Sequence, residues 1–526
     1  MHNVSKIIVK ICISWRAHML FNSYIFLFLF LPLCLGGYYL LAHFGKAKPA
    51  KLCLTGFSLW FYGYFNPSYL LIMLFSILFN YCIFRLIISA RKKNRMSGIA
   101  GSRFWMTIGV LSNLGILFYF KYYDFFIENV NAVFDTSFML KGILLPLGIS
   151  FFTFQQIGFV VDSYRGEIES CSFLDYSLFV SFFPQLIAGP IVNHNEMMPQ
   201  FEQIGHRQMD WNQFTSGVYL FTLGMVKKVL VADTFGKAVN WGYSNVSGLT
   251  GVDSALLILF YVLQLYFDFS GYCNMARGLV WLFGIEIPVN FNSPYKAVDI
   301  VEFWKRWHIT LSRFFTKYVF IPLGGNRKGR GRMYGNLFMI YLLSGIWHGA
   351  GWTYVLWSVT QGVLYILTRM WQLYKKERKV PAAEKEKSPF LQRLVRVGGI
   401  LFTFVYFSLT CVFFRSETVA QALEIFRRLF TGGIAVPAEA MTQGFNLDEF
   451  WYVMKLLHLD RLPYSQMYLC GGITLITLIV VFAAPNADEL AERFKPKAWN
   501  ALVMAGLFLW CLLSLSGVSS FLYFNF

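Results

Sequence analysis

An all-α, polytopic transmembrane helical bundle is the fold class this sequence predicts, and three observations predict it. Of 526 residues, 56% are hydrophobic and only 14% charged, with a mean hydropathy of +0.50. Apolar runs of about twenty residues, long enough to cross a roughly 30 Å hydrocarbon core, recur from one end to the other. The basic residues lie in short runs between them, such as "RKKNR" (91–95) and "NRKGRGR" (326–332).

That last pattern also decides what the net charge of +18 means. Positive-inside topology and anionic lipid headgroups account for cations spaced between apolar spans, so no nucleic-acid partner is expected. The 15 Trp and 29 Tyr suit the interfacial belts of a bilayer. Nine cysteines, scattered mostly inside apolar runs without CxxC spacing, indicate neither a disulfide framework nor a zinc site.

In chain order, residues 1–18 are basic and mildly apolar and read as an N-terminal extension, with Met19 as an alternative start. No cleavage site follows them, which predicts an uncleaved membrane protein. Residues 19–526 read as one transmembrane domain. Candidate spans fall near 20–42, 52–66, 68–90, 104–123, 138–161, 174–192, 213–232, 252–270, 336–348, 351–372, 394–415, 468–485 and 499–522. The prolines and glycines of "PLGISFF" (146–152) and "FFPQLIAGPIV" (182–192) predict broken, re-entrant backbone, which is tolerated at membrane depth only when buried in protein or lining a cavity.

Two polar regions punctuate the spans. Residues 374–393, rich in Lys and Glu, read as a charged cytoplasmic linker. Residues 416–464 open with "SETVAQALEIFRRLF", where Val419, Ala422, Leu423, Phe426 and Phe430 share one helical face and Gln421, Glu424, Arg427 and Arg428 the other. This pattern predicts a helix lying on the membrane surface. No internal repeat of fixed period is visible, which disfavours folds built from inverted repeats.

Polar chemistry concentrates between Gln264 and Trp352, and intramembrane ionisable residues are functional candidates by default. Within "VEFWKRWHITLSRFF", read as one helix, Trp304, Trp307, His308 and Leu311 follow i, i+3, i+4, i+7 spacing, so His308 points into the protein while Arg306 and Arg313 lie elsewhere. Spacing alone favours a hydrogen-bonded core histidine there. His348 is flanked by Ser344, Gly345, Gly349 and Gly351, small residues that allow close approach of another helix or of a ligand. Packing and catalysis are equally open readings at that position. An imidazole walled by apolar groups has its charged form disfavoured and suits a general base for a hydroxyl.

Metal binding is not expected, because no HExxH pattern exists and the eight histidines form no ligand-like cluster in sequence. Asp268 suits orientation of a histidine or pairing with a cation such as Arg277. Lys227, Lys228, Arg306, Arg313, Lys317, Arg327, Lys328, Arg330 and Arg332 suit either phosphate groups of an acyl donor or lipid headgroups. "GGNRKGRGR" does not fit GxxxxGK[ST], and no GxSxG occurs.

"YFDFSGYCNMARG", "NFNSPY", "FWKRWHITLS", "YVFIPLGGNR" and "SGIWHG" together resemble the membrane-bound O-acyltransferase family, in particular its bacterial alginate O-acetylation branch. "LPLGISFFTFQQIGFVVDSYRGE", "FFPQLIAGPIV" and "FLYFNF" extend the likeness over nearly the whole chain from residue 19. The resemblance implies a helical bundle around a central catalytic tunnel, with His348 catalytic and His308 its partner. It further implies no bound cofactor, acetyl-CoA or another acyl thioester as co-substrate, and a polysaccharide acceptor. Arg306, Arg313, Lys317 and Arg327 are the candidates for donor contacts. A separate extracytoplasmic acetyltransferase is the implied partner, and a bacterial inner membrane the implied location. D-alanyl transfer to teichoic acid is the alternative within the family, and a histidine-dependent transporter the alternative outside it. Asn274 and Arg277 depart from the branch, which usually carries aspartate and a small or apolar residue there.

Overall fold

The computed structural model describes residues 19–92, 95–204, 209–378, 388–446, 448–517 and 521–522; the extension 1–18 and the middle of the linker 374–393 lie outside them. The described residues form helices, turns and loops, with no strand among them. They group into two compact units, one comprising residues up to Met225, Tyr272–Val289 and from Ala491 on, the other Val226–Gly271 and Asn290–Leu490.

The first unit opens with α1 (Leu31–His43), α2 (Ala47–Phe65), α3 (Pro67–Lys92) and α4 (Arg95–Leu117). Pro67 forces Asn66 into an extended conformation, which ends α2, and its fixed φ starts α3. Buried Asn80 of α3 and Asn113 of α4 exchange amide hydrogen bonds of 3.2 and 2.6 Å, polar glue between otherwise apolar helices. After α5 (Tyr123–Phe134), the span expected over 138–161 is only half helical. Residues 138–146 stay irregular, tied down where the Asp124 carboxylate accepts the backbone N–H groups of Lys141 and Gly142 at 2.8 Å each. Helix α6 (Ile149–Arg165) begins only after Gly148, at φ +69°.

Gly148 also carries a close approach. A Cβ there would meet the Leu186 carbonyl oxygen at 2.8 Å, so the break before α6 lies against the break that follows α7 (Phe173–Ser181). Both breaks were legible in the Pro and Gly spacing. The unit continues with α8 (His194–Glu202) and α9 (Trp211–Met225), and later includes α18 (Ala498–Leu513).

The second unit starts with a π-helical stretch, Val226–Ala232, running into α10 (Asp233–Ser244). Helix α11 (Gly251–Leu282) gives this unit its residues up to Gly271. The short α12 (Ile300–Arg306) and α13 (Ile309–Phe315) precede a hairpin of α14 (Arg330–His348) and α15 (Trp352–Glu377). Then come α16 (Pro389–Arg415), α17 (Val419–Thr431) and the apolar helix Ser465–Ala483.

Helix α17 is amphipathic as expected, but it is docked. Ala422 and Ile425 are fully buried and Phe426 packs on Phe413 of α16 at 5.6 Å, whereas Leu423 and Phe430 are exposed. The face against the protein is therefore centred on Ile425, which the sequence pattern had left out. Seven helices among the described residues are long and apolar enough to cross a membrane. The hairpin helices on either side of His348 are not among them.

Candidate active site

The site begins with a broken helix. Asp299 caps α12 by accepting the Glu302 N–H at 2.8 Å, and the Glu302 carboxylate holds Arg306 one turn on at 2.7 Å. The single helix expected through "VEFWKRWHITLSRFF" then stops: Trp307 is extended and His308 is left-handed, with φ +45° and ψ +53°. The cause is a strap formed by "NFNSPY". The Asn292 N–H donates to the Arg306 carbonyl at 2.9 Å, and the Ile309 N–H donates to the Asn290 carbonyl at 3.0 Å. These bonds replace helical ones across the break and support a conformation that costs a non-glycine residue about 1–2 kcal/mol.

The Asn290 side chain completes the strap. Its Oδ1 accepts the Thr310 backbone N–H at 3.2 Å and the Thr310 hydroxyl at 2.9 Å, and lies 3.2 Å from Nδ1 of His308. A backbone N–H can only donate, so the contacting amide atom is the oxygen and His308 carries its proton on Nδ1. Nε2 is then the accepting nitrogen. The ring is 1% exposed, edge-on to Phe269 at 4.9 Å and 6.0 Å from Trp347. Burial, and then the neighbouring His348, hold this imidazole well below its ordinary range.

His348 closes α14. Its Nδ1 lies 2.6 Å from the Ser344 carbonyl oxygen, and a carbonyl only accepts, so this ring too carries a proton on Nδ1, and Nε2 is its accepting atom when the ring is neutral. Trp347 at 4.9 Å, Trp357 at 5.3 Å and Phe414 at 5.3 Å surround it edge-on. The two imidazole centroids are 6.4 Å apart. The sequence-predicted pair is thus brought together, both rings buried and both in the same tautomer.

The small residues around His348 serve mainly helix packing. A Cβ on Gly345 would lie 2.6 Å from the Tyr354 carbonyl oxygen and inside the Ser358 side chain, so α14 and α15 touch backbone to backbone there. Gly351 is different: a Cβ would meet nothing closer than 3.6 Å.

The cationic candidates divide. Arg313 and Lys317 line a cavity of about 440 Å³ between the α12–α13 segment and α14, together with Lys305, which sequence reasoning had not singled out. Arg306 is engaged by Glu302, and exposed Arg327 is outside the lining. Lys228 is fully buried between Asp268 at 2.7 Å and Asp233 at 2.8 Å, which removes it as a phosphate ligand and gives Asp268 a lysine in place of the expected Arg277. Arg277 pairs with Glu492 at 3.1 Å. One cluster was invisible in sequence: Asp162, Glu167 and His194 place a ligand-type atom each within 4.8 Å of one another, with Nδ1 of His194 hydrogen-bonded to the Asp162 carboxylate at 3.1 Å. The C-cap turn at Gly166 brings Glu167 back over Asp162.

Asn290 is the supporting residue that periodicity missed, since its partners lie 18 and 20 positions away. Asn290→Leu leaves three donors without their acceptor and is expected to cost about 2–4 kcal/mol, read by thermal or denaturant unfolding in detergent. Thr310→Ser keeps both of that residue's bonds and should stay within about 0.5 kcal/mol.

The membrane-bound O-acyltransferase family model matches residues 160–414, a range containing both histidines, the Asn290 strap and the α14–α15 hairpin. A peptidoglycan O-acetyltransferase of Helicobacter pylori is 35% identical over 541 residues, covering 97% of this chain and 98% of its own. The chain belongs to the membrane-bound O-acyltransferase family. A probable alginate O-acetylase of Pseudomonas aeruginosa is 37% identical over 420 residues, 79% of this chain and 75% of its own. A teichoic acid D-alanyltransferase of Streptococcus thermophilus is 27% identical over 292 residues, 51% of this chain and 69% of its own. The protein is a multi-pass membrane O-acyltransferase, and "YFDFSGYCNMARG", "NFNSPY", "FWKRWHITLS", "YVFIPLGGNR" and "SGIWHG" all fall inside the matched range. Asn274 and Arg277 belong to the first unit, whereas His308 and His348 belong to the second.

Proposed function

We propose that this acyltransferase moves an acetyl group from a cytoplasmic acyl thioester of the acetyl-CoA class toward hydroxyls of an exported cell-envelope polysaccharide, with His348 as general base. The observation that carries the reading is the short Nδ1–H bond from His348 to the Ser344 carbonyl, which fixes the ring and turns Nε2 into its basic atom. Nε2 takes the proton as the hydroxyl oxygen attacks the thioester carbonyl. The C–S bond breaks, the ester forms, and the imidazolium returns the proton to the leaving thiolate. His308, held by Asn290, is the positioning partner that orients the reacting groups and meets charge developing on the carbonyl oxygen.

Acetyl is favoured over D-alanyl because the O-acetylating relatives match at 35–37% identity over most of this chain, against 27% over about half for the D-alanyl relative. The setting we assign to this chemistry is a bacterial inner membrane, with transfer either direct to the polymer or completed by a separate extracytoplasmic acetyltransferase. The test is a census of base-labile acetate on envelope polymers in cells lacking the protein, complemented with wild type or with His348→Ala. One polymer should lose its acetate in the deletion and regain it only with wild type. Full restoration by His348→Ala would sink the reading.

A further inference from the structure

We propose that Arg415 selects the acceptor: its guanidinium, at the end of α16 beside the His348 wall, binds a carboxylate carried by the sugar whose hydroxyl is acylated. The location comes first. Helix α16 begins next to Arg393 and Arg396 and ends at Arg415. The α14–α15 hairpin starts and ends in the basic stretches 326–332 and 375–378, with His348 at its turn. Basic ends mark the cytoplasmic side of a multi-pass protein, which puts His348 and Arg415 toward the opposite side, where an exported polymer is met. Phe414, the residue before Arg415, lies between the two: its ring is 5.3 Å from His348 and 5.2 Å from Tyr354.

The guanidinium is poised for an anion. Arg415 is half-buried, and among the described residues it has no carboxylate partner. Nη2 donates to the Asn240 amide oxygen at a long 3.4 Å, and the buried Nε–H has no acceptor. Its charge sits over the Tyr243 ring, 5.0 Å from the centroid. Tyr261, whose ring is 6.0 Å from that of Tyr243, is 1% exposed, and its hydroxyl has no hydrogen-bond partner among the described residues. Arg415 lies near enough to act electrostatically on that hydroxyl. A cation taken partly out of water without a counter-ion, near an unsatisfied buried hydroxyl, is costly to maintain. A carboxylate supplies the missing charge and two coplanar acceptor oxygens that match the guanidinium fork. The acceptor this site fits is therefore an acidic sugar of the uronic acid class. The inference rests on the acyl-transfer reading for the ligand being a sugar, and on the surroundings of Arg415 for its charge.

Titration calorimetry of the full chain in detergent tests it without donor or turnover. The probes are a tetramer of glucuronic acid and the same tetramer with its carboxylates reduced to alcohols, with short-chain phosphatidylglycerol as a separate arm. The acidic tetramer should bind about tenfold tighter than the reduced one, in keeping with hydrogen bonds to a charged group. Arg415→Gln should bring the two to equal affinity. Arg415→Lys keeps the charge and loses the fork, so it should recover only part of the preference. Equal binding of both tetramers by wild type overturns the proposal, as does an unchanged preference in Arg415→Gln. Displacement of the acidic tetramer by phosphatidylglycerol at equal concentration also overturns it, by assigning the cation to a lipid headgroup. Should Arg415→Gln not fold, as judged by size-exclusion profile, Arg415→Lys decides: a preference equal to that of wild type refutes the fork. Equal binding together with a positive acetate census removes the acidic acceptor alone, whereas a census that fails removes the acyl transfer whatever is bound.

Discussion

His348→Ala is expected to lower ester formation by about 10²- to 10⁴-fold, the contribution typical of a positioned general base. The protein should remain folded, because the short hydrogen bond of the ring Nδ1 is to a carbonyl of its own helix, 2.6 Å away at Ser344. Loss of the aromatic contacts to Trp357 and Phe414 leaves a void, so a modest drop in thermal stability accompanies it. His348→Gln separates the two effects: it fills most of the space and offers no comparable base. Label transfer from acetyl-labelled thioester into polymer should fall as far in His348→Gln as in His348→Ala. If the glutamine variant instead keeps wild-type rates, the role of this position is packing.

The largest stability effect is expected at Lys228. The lysine and both aspartates it bridges, Asp233 and Asp268, are almost wholly buried. Taking ions out of water is costly, and their mutual attraction offsets that cost only while the group is complete. Lys228→Met leaves two carboxylates at depth and should destabilise the protein by about 3–5 kcal/mol. Adding Asp268→Asn to Lys228→Met removes one of those charges and should recover part of the loss. Unfolding in mixed micelles measures both. A Lys228→Met variant as stable as wild type would mean that water reaches this group.

The contrast between these two sites shows how much of the molecule could be read before its coordinates. The helical, apolar character of the chain, the breaks at 146–152 and 182–192 and the close helix packing around His348 follow from local patterns: hydropathy, Pro and Gly placement, and small residues around one imidazole. His308 was assigned to a continuous helix because Trp304, Trp307 and Leu311 mimic helical spacing, whereas Asn290 breaks that helix from 18 residues upstream. The partner of Asp268 was equally remote, 40 residues away on another element. Periodicity reports the face a residue presents along its own helix. It carries no information about a hydrogen bond or charge delivered from elsewhere in the chain.

The shared tautomer of the two histidines has a bearing on the direction of turnover. Each ring, when neutral, gives its only N–H to a fixed carbonyl-type oxygen, so what it offers a visitor at Nε2 is a lone pair. An alcohol brings the hydrogen such a nitrogen takes up. The ester it becomes has none, and its oxygens face the same lone pairs. Under the proposed chemistry the reactant is thus held by an interaction that the product cannot make, and departure is favoured by the loss of one hydrogen atom, with no gate to open.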